Sequence, residues 1–161
     1  MNNIFRLAAI ALALFVFAIL LGHACGSNVQ TVEEYQQECI ESLNKELQDP
    51  KNPVIQRIEN AHGTVKVTSA QVSYCKASTI DGTNNAGKNG SNISALQIQI
   101  TTRWDGIFQK NGYTVFFMDF DTSHGKLNLR KAGITETNAL VNTEDPDFWY
   151  GVGYLTGALL L

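Results

Sequence analysis

Polar and apolar positions alternate most cleanly between Ser94 and Glu136. In the run Leu96-Gln97-Ile98-Gln99-Ile100-Thr101-Thr102-Arg103-Trp104 the even positions are mostly apolar and the odd ones polar. A period of two puts Leu96, Ile98, Ile100 and Trp104 on one face of a strand. Tyr113 to Phe120 is a second strand-like run, with Asn111-Gly112 between the two. Both residues of that pair tolerate positive φ, so the pattern predicts a hairpin closed by a type I′ turn at Asn111-Gly112, with Asp105-Gly106 as the alternative turn. Thr122-Ser123-His124-Gly125 marks the next turn, and Lys126 to Glu136 the last strand. Its apolar positions change parity near Arg130-Lys131, from Leu127 and Leu129 to Ala132 and Ile134. Thr64 to Tyr74 reads as the first strand and changes parity near Ser69-Ala70, from Val65 and Val67 to Val72 and Tyr74. One extra residue on a strand does this. Bulged outer strands around a regular inner pair imply a curved four-stranded antiparallel sheet.

Elsewhere the period lengthens. Thr31-Val32-Glu33-Glu34 reads as a capping box, with Thr31 the N-cap and Glu34 reaching back. Tyr35, Cys39, Leu43 and Leu47 follow at a spacing of four, one apolar stripe on a helix that Asp49-Pro50 ends. Asn52-Pro53 opens a second, short helix through Val54, Ile55, Ile58 and Ala61, with Gly63 after His62 as its left-handed cap. Lys76 to Ser91 is rich in Asn, Asp and Gly and is expected to be a long surface loop. Asp145-Pro146-Asp147 starts a terminal segment, with Asp145 as cap. Phe148 to Leu161 is almost wholly apolar, which fits a buried helix, although Gly151, Gly153 and Gly157 leave a strand open.

The order is helix, short helix, four strands, terminal apolar helix, an α+β class. Over residues 31–136 a helix laid across a curved antiparallel meander resembles the cystatin-like and nuclear-transport-factor-like folds in element order. Fold likeness of this kind implies little about activity.

The 161-residue chain begins with an apolar run, Ile4 to Leu21, interrupted by Arg6 and followed by Gly22, His23, Ala24, Cys25, Gly26 and Ser27. This is the pattern of an export signal over residues 1–26, leaving residues 27–161 as a single domain. Cleavage after Ala24 or Gly26, retention as a membrane anchor, and lipidation at Cys25 are the three readings. The third rests on the resemblance of Leu21-Gly22-His23-Ala24-Cys25 to a bacterial lipoprotein signal. Losing Arg6 from the 12 Lys+Arg leaves 11 against 15 Asp+Glu, a net charge of −4. An acidic domain of this kind argues against a nucleic-acid partner. Export also places Cys39 and Cys75 in an oxidising compartment. A Cys39–Cys75 disulfide is expected there, worth about 3–4 kcal/mol for a loop of about 36 residues. Two buried free thiols are the alternative.

Candidate chemistry is sparse. Asn89-Gly90-Ser91 and Asn92-Ile93-Ser94 match the glycosylation acceptor pattern, as chance allows in an Asn-rich loop. His62 and His124 each precede a glycine at an element end and read as turn residues. No zinc spacing, phosphate loop or serine-nucleophile elbow is present, and no cofactor is implied. The return strand is more informative, because both its faces are apolar: Phe116, Met118 and Phe120 on one, Tyr113, Val115 and Phe117 on the other. One face must pack on the long helix. The other is either covered by Phe148–Leu161 or is a binding surface of Tyr113, Val115, Phe117 and Trp104 with Asp119 and Asp121 at its rim. Asp119 and Asp121 share a strand face about 7 Å apart and could serve acid–base or cation chemistry, or simply end a strand. The expectation is a non-catalytic exported domain of the bacterial envelope or medium that binds a protein or peptide, in the manner of an inhibitor or immunity protein. A small-molecule or enzymatic pocket in the sheet's concave face, and a structural membrane-attached component held through residues 4–21, are the alternatives.

Overall fold

The computed structural model describes residues 29–62, 65–123, 126–139 and 146–161. The leader with Cys25, the Gly63 cap, His124 with the end of its turn, and the Asp145 cap lie outside these residues. The described elements are β1 (Gln30–Thr31), α1 (Val32–Leu47), α2 (Pro53–His62), β2 (Val65–Thr79), β3 (Asn85–Gly87), β4 (Ile93–Gly106), β5 (Gly112–Ser123), β6 (Lys126–Thr137) and α3 (Pro146–Ala158). β2, β4, β5 and β6 form one antiparallel sheet in that order, and β1 pairs with β3 in a separate ladder. This is the α+β arrangement that the pattern implies.

The helix starts follow their sequence signals. Glu34 N–H donates to Thr31 Oγ1 at 3.2 Å, and Thr31 N–H to Glu34 Oε2 at 2.8 Å, a complete capping box. Such a cap is worth about 1 kcal/mol. Asn52 accepts from Val54 N–H at 2.8 Å and donates to Glu46 O at 3.0 Å, so one buried amide joins the end of α1 to the start of α2.

Three helices share one face of the sheet. Cys39, Leu43 and Leu47 of α1, Val54, Ile55 and Ile58 of α2, and Phe148, Trp149 and Val152 of α3 enter one cluster with Ile98, Ile100, Phe116 and Met118 of the sheet. Trp149 lies 5.4 Å from Phe116 and 4.7 Å from Phe148 between ring centroids, and the Arg57 guanidinium sits 5.7 Å from the Phe148 ring centroid. The terminal segment is thus a helix. Its glycines are points of close approach: a Cβ on Gly153 would come within 2.6 Å of the Leu129 side chain on β6.

The inner pair β4–β5 runs without a register break, while β2 and β6 carry bulges, as the parity shifts imply. On β6 the break at Arg130 falls where the sequence places it, and a second lies at Thr135. On β2 the first break is at Thr68, and a second at Ser73 is not visible in the pattern. It turns Tyr74 away from the helices and Cys75 toward them. β2 also runs on through Thr79, five residues beyond the expected end at Tyr74.

Two further expectations are corrected. The β4–β5 connection is not a two-residue type I′ turn. Its loop spans residues 107–111, closed by Gly106 N–H to Gln109 O at 2.7 Å and Asn111 N–H to Asp105 Oδ1 at 2.8 Å. Asn111 takes the left-handed conformation (φ 55°) while Gly112 pairs with Trp104. The stretch from Lys76 to Ser91 is no free loop: it finishes β2, then contributes β3 to the ladder with β1, with Ala86 fully buried. Asp81 organises its exposed bend by accepting from Thr83 and Asn92, which holds its carboxyl down at about 2.

Candidate functional site

Because all three described helices take the same face, the other face of the sheet carries no helix among the described residues. Antiparallel register builds that face in rows. Tyr74, Gln99, Phe117 and Gly133 lie side by side across β2, β4, β5 and β6. Gln71, Thr101, Val115 and Glu136 form a second row, and Lys76, Gln97, Asp119 and Lys131 a third. Tyr113 stands beside Arg103, and Asp121 beside Asn128. Tyr74 is 42% exposed, while Tyr113, Val115, Phe117, Asp119 and Asp121 are half-buried by their neighbours.

Cross-strand contacts hold these side chains in place. The Phe117 ring lies over Gly133, where a Cβ would come within 3.0 Å, and the Lys131 ammonium sits 5.4 Å from its centroid. Tyr113 donates its phenol proton to Glu136 Oε1 at 2.6 Å, and that acceptor raises the phenol pKa. Asp121 is held by Arg130 at 3.1 Å. Both side chains of that pair reach solvent, so it positions more than it stabilises. The face is an aromatic and aliphatic strip with charged margins of both signs.

The residues named from sequence therefore divide. Tyr113, Val115, Phe117, Asp119 and Asp121 share the outer face. Trp104 does not: it points to the helix side, is 6% exposed, and lies against Gly112 with its indole N–H toward Thr114 Oγ1 at 3.4 Å. A pocket walled jointly by Trp104 and Tyr113 is not formed, because adjacent alternation puts them on opposite faces. Phe148 to Leu161 does not cover the outer face either. Asp121 is engaged by Arg130, and no group of His, Cys, Asp and Glu among the described residues is arranged to hold a metal.

Cys39 and Cys75 carry free thiols, in place of the expected disulfide. Cys39 lies on the buried stripe of α1 and Cys75 on the inner face of β2, with Tyr35 beside them. Burial pushes Cys39 up to about 11, against a smaller lowering by its hydrogen bond with Tyr35, and pushes Cys75 up to about 12. Both are protonated at neutral pH and pack as small, weakly polar core groups, poor nucleophiles for exchange.

Two apolar positions were missed as surface features. Ile107 and Phe108, at the tip of the β4–β5 loop, are 71% and 90% exposed. The hydrogen bonds that close this loop, Gly106 to Gln109 and Asn111 to Asp105, leave both side chains outside the strands. Among the described residues no helix is long and apolar enough to cross a membrane. Comparison with protein-family models, curated proteins and solved structures finds no match to this chain.

Proposed function

We propose that this protein is an exported domain of the bacterial envelope or medium that binds a protein or peptide partner on the outer face of its sheet and catalyses no reaction. The observation that carries the reading is the placement of the three described helices on one face, so that no described helix lies over Tyr74, Val115 and Phe117. Solvent-reaching aromatic and aliphatic side chains rimmed by charge are a property of interaction surfaces. Ile107 and Phe108 expose further apolar side chains in the β4–β5 loop. The leader pattern supplies the case for export.

Affinity capture from the native envelope tests the proposal. The full chain should retain a partner in fixed ratio. Phe117→Lys or Val115→Lys should lose it by at least tenfold while circular dichroism shows the fold intact, since hot-spot aromatic residues typically contribute 2 kcal/mol or more, roughly. A full chain that stays solitary at native concentration, or variants that bind as well as the wild type, would remove the proposal.

A further inference from the structure

The two edges of the main sheet are finished differently. An edge strand carries backbone N–H and C=O groups that point away from its one neighbour and need partners. On β2 the helices supply them: Glu59, Asn44 and Gln36 accept from Val67, Val72 and Ala77. On β6, the opposite edge, no backbone N–H donates to a group outside the sheet among the described residues. The Tyr150 hydroxyl donates to Arg130 O at 3.2 Å, at the bulge in mid-strand. From Lys131 to Ile134 the strand then keeps regular register with β5 until the second bulge.

The side chains along that run select what can pair there. Alternation puts Lys131 and Gly133 on the outer face, and Ala132 and Ile134 on the inner face against the core. Gly133 has no side chain, and the far edge of the Phe117 ring fills the space above it: Cε1 and Cζ would lie 3.0 and 3.2 Å from a Cβ there. An aromatic surface thus reaches the β6 edge. The Lys131 ammonium stands 5.4 Å from the centroid of the same ring. β6 as a whole carries Lys126, Arg130 and Lys131 against Glu136. The edge is therefore cationic in a chain with 15 Asp+Glu and 12 Lys+Arg. Cations and bulges of this kind disfavour pairing with a second copy of β6, which brings the same charges, and favour an acidic strand.

We propose that β6 takes up an extended acidic peptide of a partner protein as a fifth strand, bonded backbone to backbone along Lys131–Ile134. Its outer side chains place a carboxylate beside Lys131 and an apolar group beside Gly133, against Phe117. Its inner side chains, small and aliphatic, lie beside Ala132 and Ile134. The inference rests on the reading of a partner-binding protein and gives that partner a form.

Titration of the full chain with acetyl-Thr-Val-Phe-Val-Glu-Val-Glu-amide, followed by calorimetry and by amide exchange, tests it. Saturable one-to-one binding is expected, with exchange slowed at alternate amides between Lys131 and Ile134. Two further peptides carry N-methyl groups at alternate residues, one in each parity. The parity that faces β6 should bind roughly tenfold weaker or worse, and the other should bind like the parent, because only one set of N–H groups meets the edge. A peptide with Lys in place of both Glu, and the variant Lys131→Glu with the parent peptide, should each lose roughly tenfold. Lys51→Gln, on the α1–α2 connection, serves as the unchanged control. Should Lys131→Glu fail to fold, the N-methylated pair still decides. No saturable binding, N-methylated peptides that both bind like the parent, or exchange that slows elsewhere and not on β6 would each overturn the inference. The proposed function fails separately: a partner captured through Phe117 while the peptide leaves β6 untouched removes the inference alone.

Discussion

At Gly112 the hairpin has no room for a side chain: a Cβ there would meet the Trp104 ring at 2.5 Å. The ring is itself wedged, since its indole N–H points to Thr114 and Thr114 Oγ1 is in turn 2.9 Å from Thr137 Oγ1. Gly112→Ala should therefore destabilise by about 1–3 kcal/mol through overpacking, read as a lower urea midpoint with an unchanged slope. An unchanged midpoint would show that Trp104 can move at no cost. The Asn-Gly pair was legible as a hairpin signal, and Asn111 does take positive φ. What could not be read was that Gly112 is required for contact with a residue eight positions earlier and not for its own φ.

At the scale of the element, β2 shows how an edge is closed. An edge strand exposes backbone N–H groups that invite another strand. Here side chains from the helices accept from three of them: Glu59 from Val67 at 2.9 Å, Asn44 from Val72 at 2.7 Å, and Gln36 from Ala77 at 2.8 Å. Asn44→Ala leaves the Val72 N–H unpaired in a partly buried place. It should cost about 1–2 kcal/mol and speed amide exchange at Val72 selectively, measured by hydrogen exchange. Exchange that rises equally across β2 would mean that Asn44 acts on the whole strand and not on one bond. Nothing in the polar face of α1 distinguished Asn44 and Gln36 from solvated neighbours, because their partners are more than 25 residues away in sequence. The helix α3 makes the complementary point. Its apolar stretch was readable, its glycines were ambiguous, and only the approach to Leu129 on β6 shows why they suit a helix there.

At the scale of the whole molecule, the three helices and the sheet share one interior, and the thiols report on it. Both pKa values are raised in the fold, to about 11 for Cys39 and about 12 for Cys75. A raised folded value stabilises fully below the unfolded value and is lost as pH climbs through the folded one. Reduced protein should keep its stability to about pH 9 and lose it between there and about pH 12, less steeply in Cys75→Ala, by denaturant titration at each pH. The thiolate fractions at pH 8 are on the order of 10⁻³ and 10⁻⁴. Peptide mapping should accordingly find Cys39 and Cys75 unmodified by iodoacetamide in native buffer and both modified in urea. Failure of both to react in urea would reveal a covalent bond between them.

The alternation from Leu96 to Phe120, the capping box at Thr31 and the parity shifts are local properties, set by the chain's own periodicity and stereochemistry. They determined the element order, the antiparallel sheet, one bulge on each outer strand and which side chains of the inner pair share a strand face. The side of the sheet each helix takes was not local. It depends on which apolar surfaces bury the most area together, and α3 joined α1 and α2 on the Phe116 face instead of covering Phe117. That choice, made by packing between segments far apart in the chain, left Val115 and Phe117 on the face that the three helices do not take.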